Sequence, residues 1–209
     1  MRVPLVVILA GGEGRRIGGG KPLRELRGER LIDRAVRTAR LWSGDLRLAL
    51  REPGQVPGLD VPVLVDDHNI AGPLAGLGSA LRAAREANRD FALTIPCDVP
   101  FLPPDLGPRL QAAIGNRLAA VPASGADLHP ACALWRAETL DCLPAYLASG
   151  RRSLIGFAEA VGFVRVEWSG GQFFNVNSES DLAEAERRLD SEIEDLDGLP
   201  GTGPGNSRP

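Results

Sequence analysis

The sequence predicts an α/β fold, a mostly parallel sheet covered by helices on both faces. Three observations lead there. Predominantly apolar runs such as Val3-Pro-Leu-Val-Val-Ile-Leu9 and Phe91-Ala-Leu-Thr-Ile-Pro-Cys97 read as strands buried on both sides. Stretches with apolar residues at helical spacing lie between such runs. Strands and helices alternate along most of the chain, the order that gives parallel strands joined by helical crossovers.

In chain order, Val3 to Leu9 is a first strand, followed by a loop with six glycines. Leu31 to Trp42 has apolar residues at 31, 32, 35, 36, 39 and 42, which predicts an amphipathic helix. Leu46 to Leu50 and Val61 to Val65 read as strands, separated by a loop containing Pro53, Gly54, Pro57 and Gly58. Pro73 to Asn88 reads as a helix and Phe91 to Cys97 as a buried strand that ends at Asp98. A helix over 104–114, strands over 118–122 and 131–135 and a helix over 137–148 follow. Ser153 to Ala160 is a short helix and Phe163 to Trp168 a strand. From Ser178 a last helix begins, with Ser178 and Asp181 in capping-box spacing. From about Asp190 the composition turns acidic, and from Gly198 it is rich in Gly, Pro and Ser. Residues 1–190 are therefore expected to form one domain and 191–209 a disordered tail.

Composition narrows the functional classes. A chain of 209 residues, 44% hydrophobic, is long enough for one substantial core. The first apolar run is too short to span a bilayer and lacks a signal-peptide pattern, so a cytoplasmic protein without membrane contact is expected. Cys97, Cys132 and Cys142 form no C-x-x-C pair and are an odd number, against a disulfide framework or structural zinc; they read as small core residues. A net charge of −3 and 5% aromatic residues give no general attraction to nucleic acid. Phosphate binding, if any, has to be local. Of the 24 basic residues, 23 are Arg and one is Lys, and that Lys is Lys21 at the end of the glycine loop. That placement suggests a position where a compact ammonium is needed and a guanidinium fork would not fit, with chance as the competing reading.

The loop Leu9-Ala-Gly-Gly-Glu-Gly-Arg-Arg-Ile-Gly-Gly-Gly-Lys21 fails two common phosphate motifs. A P-loop requires Gly five residues before Gly20 and Ser or Thr after Lys21; the chain has Arg15 and Pro22 there. A dinucleotide fingerprint needs a third Gly where Ile17 stands. What remains is a strand feeding Gly11, Gly12, Gly14, Gly18, Gly19 and Gly20, interleaved with Arg15, Arg16 and Lys21. Such glycines let main-chain N–H groups approach phosphate oxygens, and the cations offset the charge of a triphosphate. A plain surface loop is the competing reading. In open α/β sheets ligands sit beyond the carboxyl ends of the strands, where both this loop and Asp98 fall.

Other segments carry chemistry of their own. A carboxylate at the end of a buried strand, as at Asp98, is suited to Mg²⁺ beside a triphosphate; as plain structure it would cap the following turn. Gly72-Pro-Leu-Ala-Gly-Leu-Gly78 gathers glycines around a helix start, which suits the close approach of a base. Asn175 and Asn177 alternate on an extended segment and point the same way, offering donors and acceptors together, although Asn177 would also serve as a helix cap.

Taken together, Leu9-Ala-Gly-Gly12, then three residues, Arg16-Ile-Gly18 and Lys21 resemble the molybdenum cofactor guanylyltransferases of MobA type. So do Gly72-Pro-Leu-Ala-Gly-Leu77, Cys97-Asp-Val-Pro-Phe-Leu102, His129-Pro130 and Phe174-Asn-Val-Asn177, in the family's order, over residues 3 to about 190. The resemblance implies a Rossmann-like fold of the nucleotide-diphospho-sugar transferase type. It also implies GTP as the nucleotide, Mg²⁺ as cofactor and molybdenum-molybdopterin as acceptor. In that case Leu9, Ala10, Gly11, Gly12, Gly14, Lys21, Gly72, Pro73 and Gly76 hold the nucleotide, and Asp98 holds nucleotide and metal. Lys21, Arg15, Arg16, Asn175 and Asn177 serve the reaction, the asparagines through the pterin phosphate or the metal's water shell. An acidic residue is implied just before the Gly72 motif to accept from guanine; Asp66 is preferred, with Asp67 left open. Arg51 is the nearest match to a polar residue at the end of the second strand, His129 reads as part of the acceptor pocket or as a partly buried loop residue, and Arg151 and Arg152 as a bidentate grip on the acceptor's phosphate or as plain surface arginines; none takes an assigned role. Transient contact with cofactor-inserting or molybdoenzyme partners is left open.

Three rivals stand beside this reading. The family's cytidylyl branch typically has Ala where Gly11 stands and lacks the Gly-Pro-Leu-Ala-Gly segment. Sugar-phosphate nucleotidyltransferases are usually longer. A delivery protein that only binds the cofactor would have no need to retain Lys21 and Asp98.

Overall fold

A computed structural model describes residues 3–12, 20–70 and 72–197, with side chains described as far as Ser191. The first strand, β1 (Leu5–Leu9), lies in the middle of the sheet; Val6 and Ile8 face one core and Leu5 and Val7 the other. This double burial is why the run is apolar without alternation. A hairpin that periodicity did not suggest follows, β2 (Glu25–Leu26) and β3 (Glu29–Arg30). Arg27 and Gly28, both at positive φ, make its turn, and two-residue strands are too short to show a period.

Helix α1 (Leu31–Ala39) buries Leu31, Ile32, Ala35, Val36 and Ala39, the expected stripe. β4 (Leu46–Leu50) and β5 (Val63–Val65) come next. β5, shorter than the run over 61–65 read as a strand, is an edge strand with Val63 and Val65 exposed. After α2 (Pro73–Glu86) the chain enters β6 (Phe91–Pro96) and α3 (Leu106–Ala113). β7 (Ala119–Ser124) turns back through β8 (Asp127–Leu128).

The strand expected over 131–135 is β9 (Leu134–Arg136), because Pro130–Cys132 winds as a 3-10 turn. The helix expected over 137–148 begins as 3-10, Ala137–Cys142, before α4 (Leu143–Ala148). α5 (Leu154–Val161), β10 (Phe163–Glu167) and α6 (Glu179–Asp197) complete the order. α6 continues through the acidic residues 191–197 assigned to the tail from composition, and residues 198–209 lie outside the described ones. A run of Glu, Asp and Arg favours helix as readily as disorder, so composition alone did not decide. Cys97 and Cys132 are buried as expected, whereas Cys142 is exposed.

The sheet runs β10-β7-β9-β6-β1-β4-β5, with β8 on β7. β1 pairs parallel with β4 and β6, and β4 with β5, while β9 is an antiparallel insertion between β6 and β7. α1 and α3 cover one face, and α2, α4 and α5 the other. α6 packs on the hairpin through Ala185, Val176, Leu26 and Leu31. No described helix is long and apolar enough to cross a membrane. The order around β1 is what positions the site. β4 and β5 lie on one side and β6 on the other, so the chain reverses direction across the sheet at β1, and a crevice opens beyond the strand ends.

Candidate functional site

A cleft of about 820 Å³ occupies that crevice. Leu9 pairs with Pro96, so the residues just past them, Gly11 and Gly12 on one side and Cys97 and Asp98 on the other, form its floor. The start of α2 supplies a wall through Gly72, Pro73, Ala75 and Gly76. Gly72 has φ 75° and ψ −160°, a conformation that only glycine adopts without strain. The first turn of α2 carries no acidic side chain, so its partial positive charge faces the cleft uncompensated.

At one end of the cleft Lys21 forms an ion pair with Asp98 Oδ2. Its ammonium also donates to Asn177 Oδ1 at 2.7 Å. Three segments, the outer two 156 residues apart, thus meet at one cation. Asn177 is not the helix cap: Ser178 Oγ accepts from Asp181 N–H at 3.2 Å and α6 begins at Glu179. The Asn177 N–H is in turn held by Asp181 Oδ2 at 2.9 Å, one of the bonds that keep the Asp181 carboxyl below its usual range. Val176 is buried between exposed Asn175 and Asn177, the alternation expected of an extended segment, and its N–H donates to Asp98 O at 2.9 Å.

At the other end sits Asp66, 9% exposed, whose Oδ1 has no hydrogen-bond partner. Burial pushes its carboxyl up to about 6, against the pull of Arg51 and His68. Asp67 is engaged otherwise: it accepts from the Asn69 N–H at 2.9 Å and from Asn69 Nδ2 at 3.0 Å, which hold its carboxyl low. Geometry therefore separates two neighbours that the sequence left open. A buried, unpartnered acceptor beside a cleft is a group waiting for a donor. The two glycines facing Asp66 make room for it. A Cβ on Gly11 would stand 2.6 Å from Asp66 Oδ2, and one on Gly76 would stand 2.9 Å from Leu9 Cδ2 and 3.6 Å from Asp66 Oδ1.

Of the candidate residues, Leu9, Gly11, Gly12, Lys21, Asp66, Gly72, Pro73, Gly76 and Asp98 line this one cleft. Gly14, Arg15 and Arg16 fall outside the described residues. Ala10 does not line the cleft with its side chain, which is 1% exposed in the core, and its N–H is taken by Ala49 O at 3.0 Å. In a strand that continues one residue past its assigned end, successive side chains still alternate, so Leu9 and Gly11 face the cleft and Ala10 faces away.

His129 does not line the cleft either. It stacks on Phe173 at 4.3 Å between ring centres and its Nε2 lies 2.7 Å from Ser124 Oγ. Burial lowers its pKa, with Asp127 pulling the other way. Arg152 donates to the carbonyls of Leu147 and Arg151, and Arg151 lies 5.0 Å over the Tyr146 ring. Sequence reasoning missed Glu52, His68, Ile70 and Ala131 as lining, and left Arg51 without a role. The strand-end rule would have found Arg51 and Glu52, which follow β4.

For a divalent cation the fit is that of a one-carboxylate site. Asp98 is mostly shielded and already holds a positive group, and no cluster of three or more His, Cys, Asp or Glu side chains suited to a metal exists among the described residues. Magnesium accepts such a site when phosphates and water complete its shell. A glycine-lined strand end, a helix N-terminus, an ammonium and a carboxylate in one crevice make a receptor for a polyphosphate with its cation.

Comparison with known proteins gives the same family as the motifs. The profile of the MobA-like NTP transferase domain matches residues 6–161. A molybdenum cofactor guanylyltransferase of Cereibacter sphaeroides is 40% identical over 193 residues, covering 88% of this chain and 95% of its own. One from Rhodopseudomonas palustris is 38% identical over 192 residues, covering 87% and 91%. Among solved structures, molybdopterin-guanine dinucleotide biosynthesis protein A of Archaeoglobus fulgidus superposes with a TM-score of 0.72 at 23% identity, covering 89% of this chain and 98% of its own. The 2-C-methyl-D-erythritol 4-phosphate cytidylyltransferase of Thermus thermophilus gives 0.68 at 22% identity, covering 91% and 100%, which speaks for the fold alone.

Proposed function

We infer that the chain, which belongs to the MobA-like NTP transferase family and within it to the molybdenum cofactor guanylyltransferases, transfers GMP from GTP to the terminal phosphate of molybdenum-molybdopterin. The products are the guanine dinucleotide cofactor and pyrophosphate. The observation that carries this reading is kinship with guanylyltransferases across 88% of the chain. That kinship also favours GTP over CTP or a sugar-phosphate substrate.

The chemistry asks for positioning more than for covalent help. An oxygen of the acceptor's phosphate attacks the α-phosphorus of GTP, and the bond from that phosphorus to the bridging oxygen of the β-phosphate breaks as pyrophosphate leaves. The attacking oxygen is already anionic, so no general base is required.

Lys21 meets the phosphates, joined in this reading by Arg15 and Arg16, and stabilises the charge that grows on the leaving pyrophosphate. Asp98 would hold Mg²⁺, which supplies charge neutralisation across phosphate oxygens. The main chain at Gly11 and Gly12 and the N-terminus of α2 receive the remaining phosphate charge. Asp66 accepts from guanine N1–H and N2–H₂, donors that cytosine and adenine do not present in the same arrangement. Asn175 and Asn177 orient the acceptor phosphate or the water around the metal. This reading treats residues 1–190 as one catalytic domain, working in the cytoplasm without nucleic acid or membrane. Its product has to be handed on, so brief contact with an inserting protein or a recipient enzyme belongs to the proposal.

Pyrophosphate release measured with molybdenum-loaded pterin and each nucleoside triphosphate tests the assignment. GTP with Mg²⁺ should support turnover and raise the melting temperature, as a ligand bound only to the native state must. An equal or larger effect of CTP would overturn the base assignment.

A further inference from the structure

The ion pair between Lys21 and Asp98 sets a condition on how the cleft fills. The two side chains keep only 13% and 15% of their exposure, so water screens the pair less than it would on an open surface. The ammonium has a prepared seat. One of its donors goes to Asp98, at the end of β6, and another to Asn177 Oδ1 at 2.7 Å, at the entry to α6. The seat is itself braced, because the Val176 N–H holds Asp98 O at 2.9 Å and Asp181 Oδ2 holds the Asn177 N–H at 2.9 Å. The Lys21 main chain is fixed too, in a 3-10 turn closed by Leu23 N–H on Gly20 O at 2.8 Å with Pro22 buried.

A carboxylate oxygen in contact with an ammonium is not open to a divalent cation, whose approach would force two positive groups together. The ammonium has to leave first, and the side chain can swing while its main chain stays. What draws it off is a group of stronger negative charge arriving in the same cleft, which describes the phosphates of a nucleotide.

We infer that Lys21 is a built-in counterion: it fills the cation's place at Asp98 in the nucleotide-free protein and yields that place when phosphates claim it. The inference rests on the reading of Asp98 as the magnesium ligand. Nucleotide and metal then enter as coupled ligands, each raising the affinity of the other by the same factor. The free protein is kept from holding a divalent cation on its own, and the unpaired Asp98 charge never faces an arriving triphosphate.

Mn²⁺ is the probe, with free and bound ion counted by electron paramagnetic resonance in the absence of nucleotide. Wild type should bind it weakly, and Lys21→Met about 10-fold or more tightly, within the usual range of coupling between sites. The double variant Lys21→Met/Asp98→Asn should lose that gain. Asn177→Ala keeps the lysine but removes one anchor, and should show a smaller gain; it stands in if Lys21→Met does not fold by circular dichroism.

Mn²⁺ binding by Lys21→Met no tighter than wild type overturns the counterion role. If in that case Asp98→Asn still abolishes binding of Mn²⁺ with GTP, the magnesium reading stands and only the counterion inference falls. A gain that survives in the double variant puts the metal elsewhere and removes both.

Discussion

Replacing Asp66 by Asn should make the protein more stable above pH 6 while costing it the nucleotide. Asp66 is buried, its Oδ1 is unpartnered, and its carboxyl titrates at about 6 instead of near 3.8. At about 1.4 kcal/mol per pH unit, that displacement corresponds to about 3 kcal/mol by which the folded state disfavours the ionised group, an upper figure. The sign follows from proton counting. Between pH 3.8 and about 6 the folded protein holds a proton that the unfolded chain has released. The stability contributed by the protonated carboxyl is therefore complete below about pH 3.8 and lost as pH rises through about 6. Asn does not titrate, so the difference in unfolding free energy between Asp66→Asn and wild type should shift in favour of the variant by about 1–3 kcal/mol from pH 4 to pH 8. Urea denaturation of both proteins across that range measures the difference, and titrating groups not coupled to Asp66 cancel between them, which leaves His68 as a coupled neighbour. GTP should shift the melting temperature of the variant much less than that of wild type. A difference in stability that stays flat from pH 4 to pH 8 would refute the account of Asp66 as a buried, displaced carboxylate.

Four further substitutions probe the rest of the cleft and the helix entry beside it. Gly11→Ala puts a methyl 2.6 Å from Asp66 Oδ2 and 3.3 Å from the Arg51 main-chain N, which cannot yield, so it should cost about 1–3 kcal/mol and most of the GTP affinity. Gly76→Ala meets only the flexible end of Leu9 and should be milder on both counts in the same melts and GTP titrations. Lys21→Ala leaves the shielded Asp98 carboxylate without its partner, so it should lower the melting temperature while the protein stays folded, and should slow pyrophosphate release about 10²–10³-fold; full activity would remove the loop from the mechanism. Ser178→Ala deletes the cap that accepts from Asp181 N–H and should cost about 1 kcal/mol in a denaturation curve.

The parts of the fold legible in the sequence are those where one physical demand acts on many consecutive residues. β1 and β6 must be apolar on both faces, and α1 must repeat its stripe at 31, 32, 35, 36 and 39, so each declares itself. Where the demand covers two or three residues, it leaves no period to read. β2 and β3 are two residues each, and the Pro130–Cys132 and Ala137–Cys142 turns depend on what lies beside them. β5 was legible as a strand, but its place in the sheet was not. A strand at the sheet edge can keep valines in water, and nothing in Val63-Leu-Val65 says which neighbour is missing.

The site divides along a similar line. Residues named by type and by their place at a strand end or a helix start, Gly11 and Asp98 on one hand and Gly72 and Gly76 on the other, do meet in one cleft because parallel strands deliver their carboxyl ends, and the helices that follow them, to the same edge. The orientation of a single side chain is a further fact that type does not carry. Alternation sends Ala10 into the core between two residues that face the cleft, and an Asx bond to Asn69 occupies Asp67 while Oδ1 of Asp66 beside it has no partner. The meeting of Lys21, Asp98 and Asn177 lies further still from the sequence, since it joins positions 156 residues apart and depends on α6 returning to the hairpin through Val176 and Ala185. The lone lysine of the chain made Lys21 conspicuous, but only its two partners show why an ammonium is wanted there. A cation that must be held when the cleft is empty and released when it fills is better served by one compact charge on a flexible stem than by a planar fork that would keep both partners at once.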